Sequence, residues 1–425
     1  MLLKKRVFSL LFYVLLFFYI YLHGRIPLIF LNMNIENLLK TIFLDTEYNV
    51  KDVFEQKLQD YNLSKTRALK LLNIDKDVFD EILNGTAKQP NLIHIVKIAE
   101  FLDIEVNNFI SIVLKNQSAE NISAIDSARK ATFLVKNFDV KALTKLGFFD
   151  SDYTTDDIIA KVLQYFGYST INEFEEQLDE PLYSKVKKNH SDKMKDFWIK
   201  SAYQTFKIID NPNEYNRERL KDLVVKIKPY SQDVTNGLLT VCRALYNIGV
   251  TVIFQNYLTT TQVRGATFII NNKPCIVITD FNKIYPTLWF TLLHELNHVL
   301  FDFETIAKSN YHLSDDNDLF LIEDQANSFA RNFFLSEEKF HYIKKYISNP
   351  YLVSKFASEI EVHPSIVYSF FTWYQKELYN KNYHAAFKQF YPDYSNSISK
   401  LNPVTWNEVS LKDVSEKIKS ILEIK

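Results

Sequence analysis

The sequence lacks the means to staple itself: 425 residues hold only two cysteines, Cys242 and Cys275. That excludes a disulfide-dense secreted scaffold and fits a reducing compartment. A zinc site built on thiolates would also need more of them. Cys242 lies in an apolar helical run and Cys275 in an apolar strand-like run, so both are expected in the core. Charge of one sign is missing too. Fifty Lys and Arg stand against 51 Asp and Glu, for a net charge of −1, which gives no global drive towards nucleic acid or an anionic membrane. Any such contact would need a local patch. No internal repeat or low-complexity tract stands out. Glycine is scarce at 7, whereas 34 Phe and 25 Tyr are present. Because Phe, Tyr, Asn, Lys and Ile all have AT-rich codons, composition bias accounts for the aromatics without stacking platforms.

The N-terminus is apolar. Lys4, Lys5 and Arg6 precede an uncharged run from Val7 to Leu22. Sixteen helical residues span about 24 Å, short of the ~30 Å hydrocarbon core. No small-x-small site follows, which disfavours a cleaved signal peptide. Residues 7–22 as a single-pass anchor, with basic residues on the N-terminal flank, would put the rest of the chain outside the cytoplasm. A start at Met33, opening MNIENLLKTIF, avoids that topology and gives a cytoplasmic product.

The length allows two or three domains. We divide the chain into a leader (1–32), a helical domain (33–117), a helical linker (118–225), an α+β domain (226–375) and a helical tail (376–425). From Val50 to Ile110 short amphipathic helices follow one another. Val53, Phe54, Leu58 and Tyr61 form one stripe at helical spacing. Ser64 caps a helix over Lys65–Leu72, whose Ala68, Leu69, Leu71 and Leu72 are expected to face inward. Asp75 opens the next helix, which carries Val78, Phe79, Ile82 and Leu83, and Asn84-Gly85 closes it with a left-handed cap. This layout resembles the repressor-type helix-turn-helix family. Its recognition stretch is acidic, however: Asp75, Asp77, Asp80 and Glu81 against Lys76. Carboxylates forgo the counterion release that drives DNA affinity, so any DNA contact is expected to be weak. Residues 118–225 read as helical and charged, with Trp198 as core.

From about Lys226 the pattern changes. A helix (Gly237–Asn247) precedes strand-like runs at Val250–Phe254, Ala266–Ile270 and Pro274–Thr279, the last two joined by Asn271-Asn272. Pro286 then opens a helix through Leu300. The expected class is α+β: mostly helical, with a small antiparallel sheet packed on that helix.

The helix carries His294-Glu295-Leu296-Asn297-His298. Histidines at i and i+4 share one face, so both imidazoles can reach one ion at about 2.0–2.1 Å. Glu295 lies about 100° around the axis, placed to take a proton from water without ligating. The surrounding Leu292, Leu293, Leu296, Val299 and Leu300 predict a buried helix. The bland alternative is a pair of satisfied core histidines. A catalytic zinc site needs a third protein ligand, and Glu323 is the best donor. Glu323, Ala326, Asn327 and Ala330 share one face of a helix that follows the polar loop Ser314–Asp318. The two alanines permit close approach, and Asn327 can orient a ligating histidine through its second ring nitrogen. Asp324 is the rival ligand, pointing about 100° away. His363, before Pro364, is a candidate for the cleft as an oxyanion stabiliser, against a structural role in the turn.

Four stretches resemble the ImmA/IrrE zinc metallopeptidase family: RGATFIINNKPCIVI (264–278), WFTLLHELNHVL (289–300), EDQANSFA (323–330) and FASEIEVHPSIV (356–367). With the helix-turn-helix-like segment, the resemblance spans most of residues 50–375. It implies a zincin-like domain binding Zn²⁺ through His294, His298 and Glu323, with Glu295 as the base. It further implies a cytoplasmic bacterial regulator that cleaves a protein substrate such as a repressor or a toxin–antitoxin component. The alternative is a DNA-binding regulator or antitoxin-like protein whose metal domain senses or scaffolds. Asn297 replaces a usual Gly, Ser336 stands where a Pro commonly follows, and Ser365 replaces a Gly after His-Pro. None of these removes a ligand or the base.

Overall fold

The computed structural model describes residues 50–423, apart from 88, 116–118, 177–191, 259–260, 315–319 and 407–409. The apolar run at 7–22 and the start at Met33 lie outside the described residues. Among those described, no helix is long and apolar enough to cross a membrane. The chain divides into two compact units between Arg129 and Lys130.

The first unit contains helices α1 (Val50–Asp60), α2 (Lys65–Leu72), α3 (Lys76–Asn84), α4 (Leu92–Leu102) and α5 (Val106–Lys115). Several boundaries have a local cause, although Asp75 at the start of α3 makes no side-chain cap hydrogen bond. Ser64 Oγ accepts from Arg67 N at 3.3 Å to start α2, and Asn73 ends it at φ 52°. Gly85 ends α3 at φ 69°, a conformation that costs a residue without Cβ least. Phe54, Ala68, Phe79, Ile82, Ile98 and Phe109 fill the core, with the Phe54 and Phe79 rings 4.7 Å apart. Leu71 does not face inward as expected: it is 70% exposed. Ala68, Leu69 and Leu72 already fill the inward arc of this two-turn helix, and Leu71 lies outside it.

The second unit has one apolar core running from Phe133 to Leu422, drawn from residues before, within and after 226–375. Helix α6 (Lys193–Ile209) buries Trp198 completely, and Gln255 Nε2 donates to the Trp198 carbonyl at 3.0 Å. After a short helix at Arg217–Val224 come α7 (Gly237–Tyr246) and then strands β1 (Thr251–Phe254), β2 (Gly265–Ile270) and β3 (Lys273–Ile278). Next come α8 (Tyr285–Phe301), β4 (Tyr311–Leu313), α9 (Phe320–Phe334), α10 (Pro364–Tyr379) and α11 (Leu411–Glu423). The C-terminal helix is tied to α7 by Arg243 Nε, which donates to Ile421 O at 2.8 Å. Cys242 and Cys275 are buried free thiols.

The architecture is α+β, but the sheet is mixed and not antiparallel throughout. Its order is β1-β3-β2-β4. β2 and β3 form the hairpin read from sequence, with Asn271 and Asn272 both at positive φ in its turn. β4 adds antiparallel to β2, setting His312 opposite Thr267. β1 lies parallel to β3, with Thr251 opposite Cys275 and Phe254 opposite Ile278. Helix α8 packs on β2, β3 and α9, and every residue from Thr291 to Leu300 is buried.

Candidate metal centre

A helix buried on all sides has to satisfy its own polar side chains, since an unpaired buried amide or hydroxyl costs about 1–3 kcal/mol and an unpaired charge more. In α8 those side chains include Thr291, His294, Glu295, Asn297 and His298. His298 Nδ1 sits 2.9 Å from Asp302 Oδ2, one turn on at the end of the same helix. His294 Nδ1 sits 3.1 Å from Asn327 Oδ1, presented by α9. Both imidazoles are thereby oriented through Nδ1, which leaves both Nε2 atoms turned to a common point, 3.1 Å from each other.

Glu323, in the first turn of α9, completes that point. Its Oε2 is 3.4 Å from His294 Nε2 and its Oε1 is 3.3 Å from His298 Nε2. Ala326 and Ala330, both fully buried, lie on the face that α9 turns to α8. Two donors bound at about 2.0–2.1 Å to one tetrahedral ion lie roughly 3.3–3.4 Å apart. The two imidazole Nε2 atoms, 3.1 Å apart, come close to that edge length. Glu323 meets each imidazole with a different oxygen, and one ligand atom from each of the three residues lies within 4.8 Å of the others. Among the described residues, His294, His298 and Glu323 are the group that could hold a metal ion. Asp324 faces the cleft beside them but stays outside the trio.

The electrostatics favour a cation. Burial acts to raise the Glu323 pKa, but hydrogen bonds with His294, His298 and His312 outweigh it and hold the carboxyl well below the usual carboxylate range. Burial pulls the His298 pKa down, yet the hydrogen bonds to Asp302 and Glu323 and the charges of Glu295 and Glu323 lift it to about 9. A ligating imidazole is neutral, so a bound cation would take the place of that proton.

Glu295 is fully buried and faces the sheet. Thr267 Oγ1 donates to its Oε2 at 2.7 Å, and Ser314 Oγ donates to its Oε1. These donors come from β2 and from the residue just after β4. The carboxylate therefore has both oxygens held beside the trio while not belonging to it.

Residues 247–369 match the peptidase family described as the IrrE N-terminal-like domain. That segment holds all three donors, Glu295 and the four strands. The likeness is to a metallopeptidase domain, which agrees with the donor set. No curated protein and no solved structure matches the chain.

The trio opens onto a cleft of about 920 Å³ walled by α8, α9 and α10. Phe290, Arg331, Phe370 and Trp373 line it, with Arg331 stacked 4.5 Å over the Trp373 ring. Of the residues picked out in the sequence, His294, Glu295, Glu323 and Asn327 border this cleft, and His298 joins them from behind. His363 is not among the lining residues. It caps α10 instead, its Nδ1 accepting from Ser365 N at 3.1 Å and its ring packing edge-on against Tyr285.

Sequence reasoning missed Asp302, Thr267, Ser314 and His312. Asp302 carried a signal, since it follows His298 at i+4 on the same helix. The other three are brought in by sheet pairing, which no local pattern announces.

Proposed function

We propose that this chain is a zinc-dependent endopeptidase that hydrolyses a peptide bond in a regulatory protein, such as a transcriptional repressor or a toxin–antitoxin component, in the cytoplasm. The observation that carries the reading is the convergence of His294, His298 and Glu323, with one ligand atom from each within 4.8 Å of the others, beside the buried Glu295 carboxylate, which stays outside that trio. His294, His298 and Glu323 would hold the zinc. When bound, zinc lowers the pKa of water to about 7 and polarises the scissile carbonyl. Glu295 is the general base: it accepts a proton from the attacking water and passes it to the leaving amine. Thr267 and Ser314 keep that carboxylate aimed, and Asn327 and Asp302 hold the two imidazoles. The cleft beyond the trio receives the polypeptide.

The helical unit 50–115 has little to offer DNA. Lys65 of α2 is spent on Asp80 at 2.7 Å, and Asp77 and Glu81 on α3 oppose phosphate. A protein contact suits this unit better.

The experiment purifies wild type and Glu295→Gln, measures zinc, and incubates each with the product of an adjacent repressor gene, with and without chelator. About one zinc per chain is expected in both, with cleavage by wild type alone and only without chelator. General-base loss should cost about 10²–10⁴ in rate. A Glu295→Gln protein that cuts at the wild-type rate removes Glu295 from this role. Zinc held by both proteins with no partner cut by either would favour an antitoxin-like scaffold.

A further inference from the structure

The trio has a third histidine beside it. His312 stands in the middle of β4, opposite Thr267 of β2. Residues directly paired across antiparallel strands project to the same face, so one strand pair aims two polar side chains at the metal helix. Thr267 reaches Glu295. His312 reaches Glu323, with Nε2 2.6 Å from Oε1. Its ring, 4% exposed, packs edge-on 4.4 Å from the ring of His298. An ionised carboxylate only accepts hydrogen bonds, so His312 Nε2 carries the hydrogen and donates it.

We propose that His312 is a positioning residue that presets the Glu323 carboxylate for the metal ion. This rests on the reading that His294, His298 and Glu323 hold an ion. Two observations assign His312 to positioning and not to the ligand set. The compact donor group contains His294, His298 and Glu323 without it. Its Nε2 is already directed at a ligand oxygen. Glu323 has reason to need such help. It sits in the first turn of α9, where the helix has just begun, and a glutamate side chain loses rotamer entropy when fixed. A charge-assisted bond from a rigid strand meets that cost before the ion arrives. Outer partners that orient a ligand in this way commonly carry 10–100-fold in metal affinity.

The test uses the full chain, with zinc titrated against a chelating dye. His312→Leu keeps the bulk and removes the donor, whereas His312→Gln puts an amide N–H near the lost Nε2–H. His312→Leu is expected to bind zinc about 10–100-fold more weakly, and His312→Gln to recover most of the loss. Cobalt(II) absorption should keep its shape in His312→Gln, because the ligand set is unchanged. An altered cobalt spectrum would make His312 a ligand and overturn the proposal. Wild-type affinity in His312→Leu, or a Gln variant as weak as the Leu variant, would overturn it too. So would a lower melting temperature of the metal-free Leu variant with unchanged affinity, the signature of a packing role. His294→Ala separates the two levels: if wild type holds zinc no better than that variant, the metal reading itself falls, and this role falls with it.

Discussion

A Cβ atom at Gly265 would stand 2.5 Å from Glu295 Oε1 and 2.7 Å from Thr291 Cγ2. The first residue of β2 thus leaves open the space that the base occupies, and its φ is not the reason for glycine there. Gly265→Ala is expected to push Glu295 off its Thr267 and Ser314 partners. Overpacking of this kind costs about 1–3 kcal/mol. Cleavage should fall steeply while zinc content stays at the wild-type level, since Glu295 is not a ligand. Wild-type turnover in this variant would mean that the carboxylate can do its work from another position.

Away from the site, Lys200 on α6 offers a pH-dependent handle on stability. Burial pushes its ammonium down to about 7, partly offset by Asp196 and reinforced by Lys136. Its Nζ lies 4.4 Å over the Phe174 ring. Since the folded pKa is below the unfolded one, near 10.5, the penalty is complete below about pH 7, where both states are protonated. It is relieved as pH rises towards 10.5, because the folded protein sheds the proton before the unfolded chain does. Lys200→Met should therefore stabilise the protein by about 1–3 kcal/mol near pH 6, after allowing for the lost contact with Phe174. The gain should shrink towards pH 10. Urea unfolding of both proteins at the two pH values decides it, and a gain that does not change with pH would count against the account.

What could be read from sequence follows the range of the interactions involved. His294, Glu295 and His298 sit within five consecutive residues, so helical periodicity alone sets their geometry. Glu323 was reachable because Ala326 and Ala330 repeat on its own face and mark the side that approaches a neighbour. The hairpin was legible from Asn271-Asn272, whose side chains tolerate the positive φ found there. The sheet's topology was not. A parallel pairing such as β1 with β3 joins strands that are not consecutive in the chain, and no local periodicity marks it. β4 has only three residues, too few to show alternation, and so the roles of His312 and Ser314 stayed hidden with it. Leu71 was misjudged because an apolar residue in a two-turn helix is not bound to face the core.

The last prediction concerns Asp302, the partner of His298. Its carboxylate stands at the junction between the C-terminal end of α8 and the N-terminal end of the helix Phe303–Ser309, where the two helix dipoles act in opposite senses. Its side chain makes no cap hydrogen bond to the second helix and is directed instead at His298 Nδ1, 2.9 Å away. That bond fixes the tautomer with hydrogen on Nδ1, so Nε2 presents its lone pair to the ion, and the negative charge makes the imidazole a stronger donor. Asp302→Ala should weaken zinc binding about 10–100-fold, measured by competition with a chelating dye. Asp302→Asn keeps an oxygen that accepts from Nδ1–H but removes the charge. It should fall between wild type and the alanine variant, which separates orientation from charge. If the asparagine variant binds as weakly as the alanine one, the charge carries the effect. If both bind zinc as wild type does, His298 is held by packing in α8 alone, and Asp302 has no part in the site.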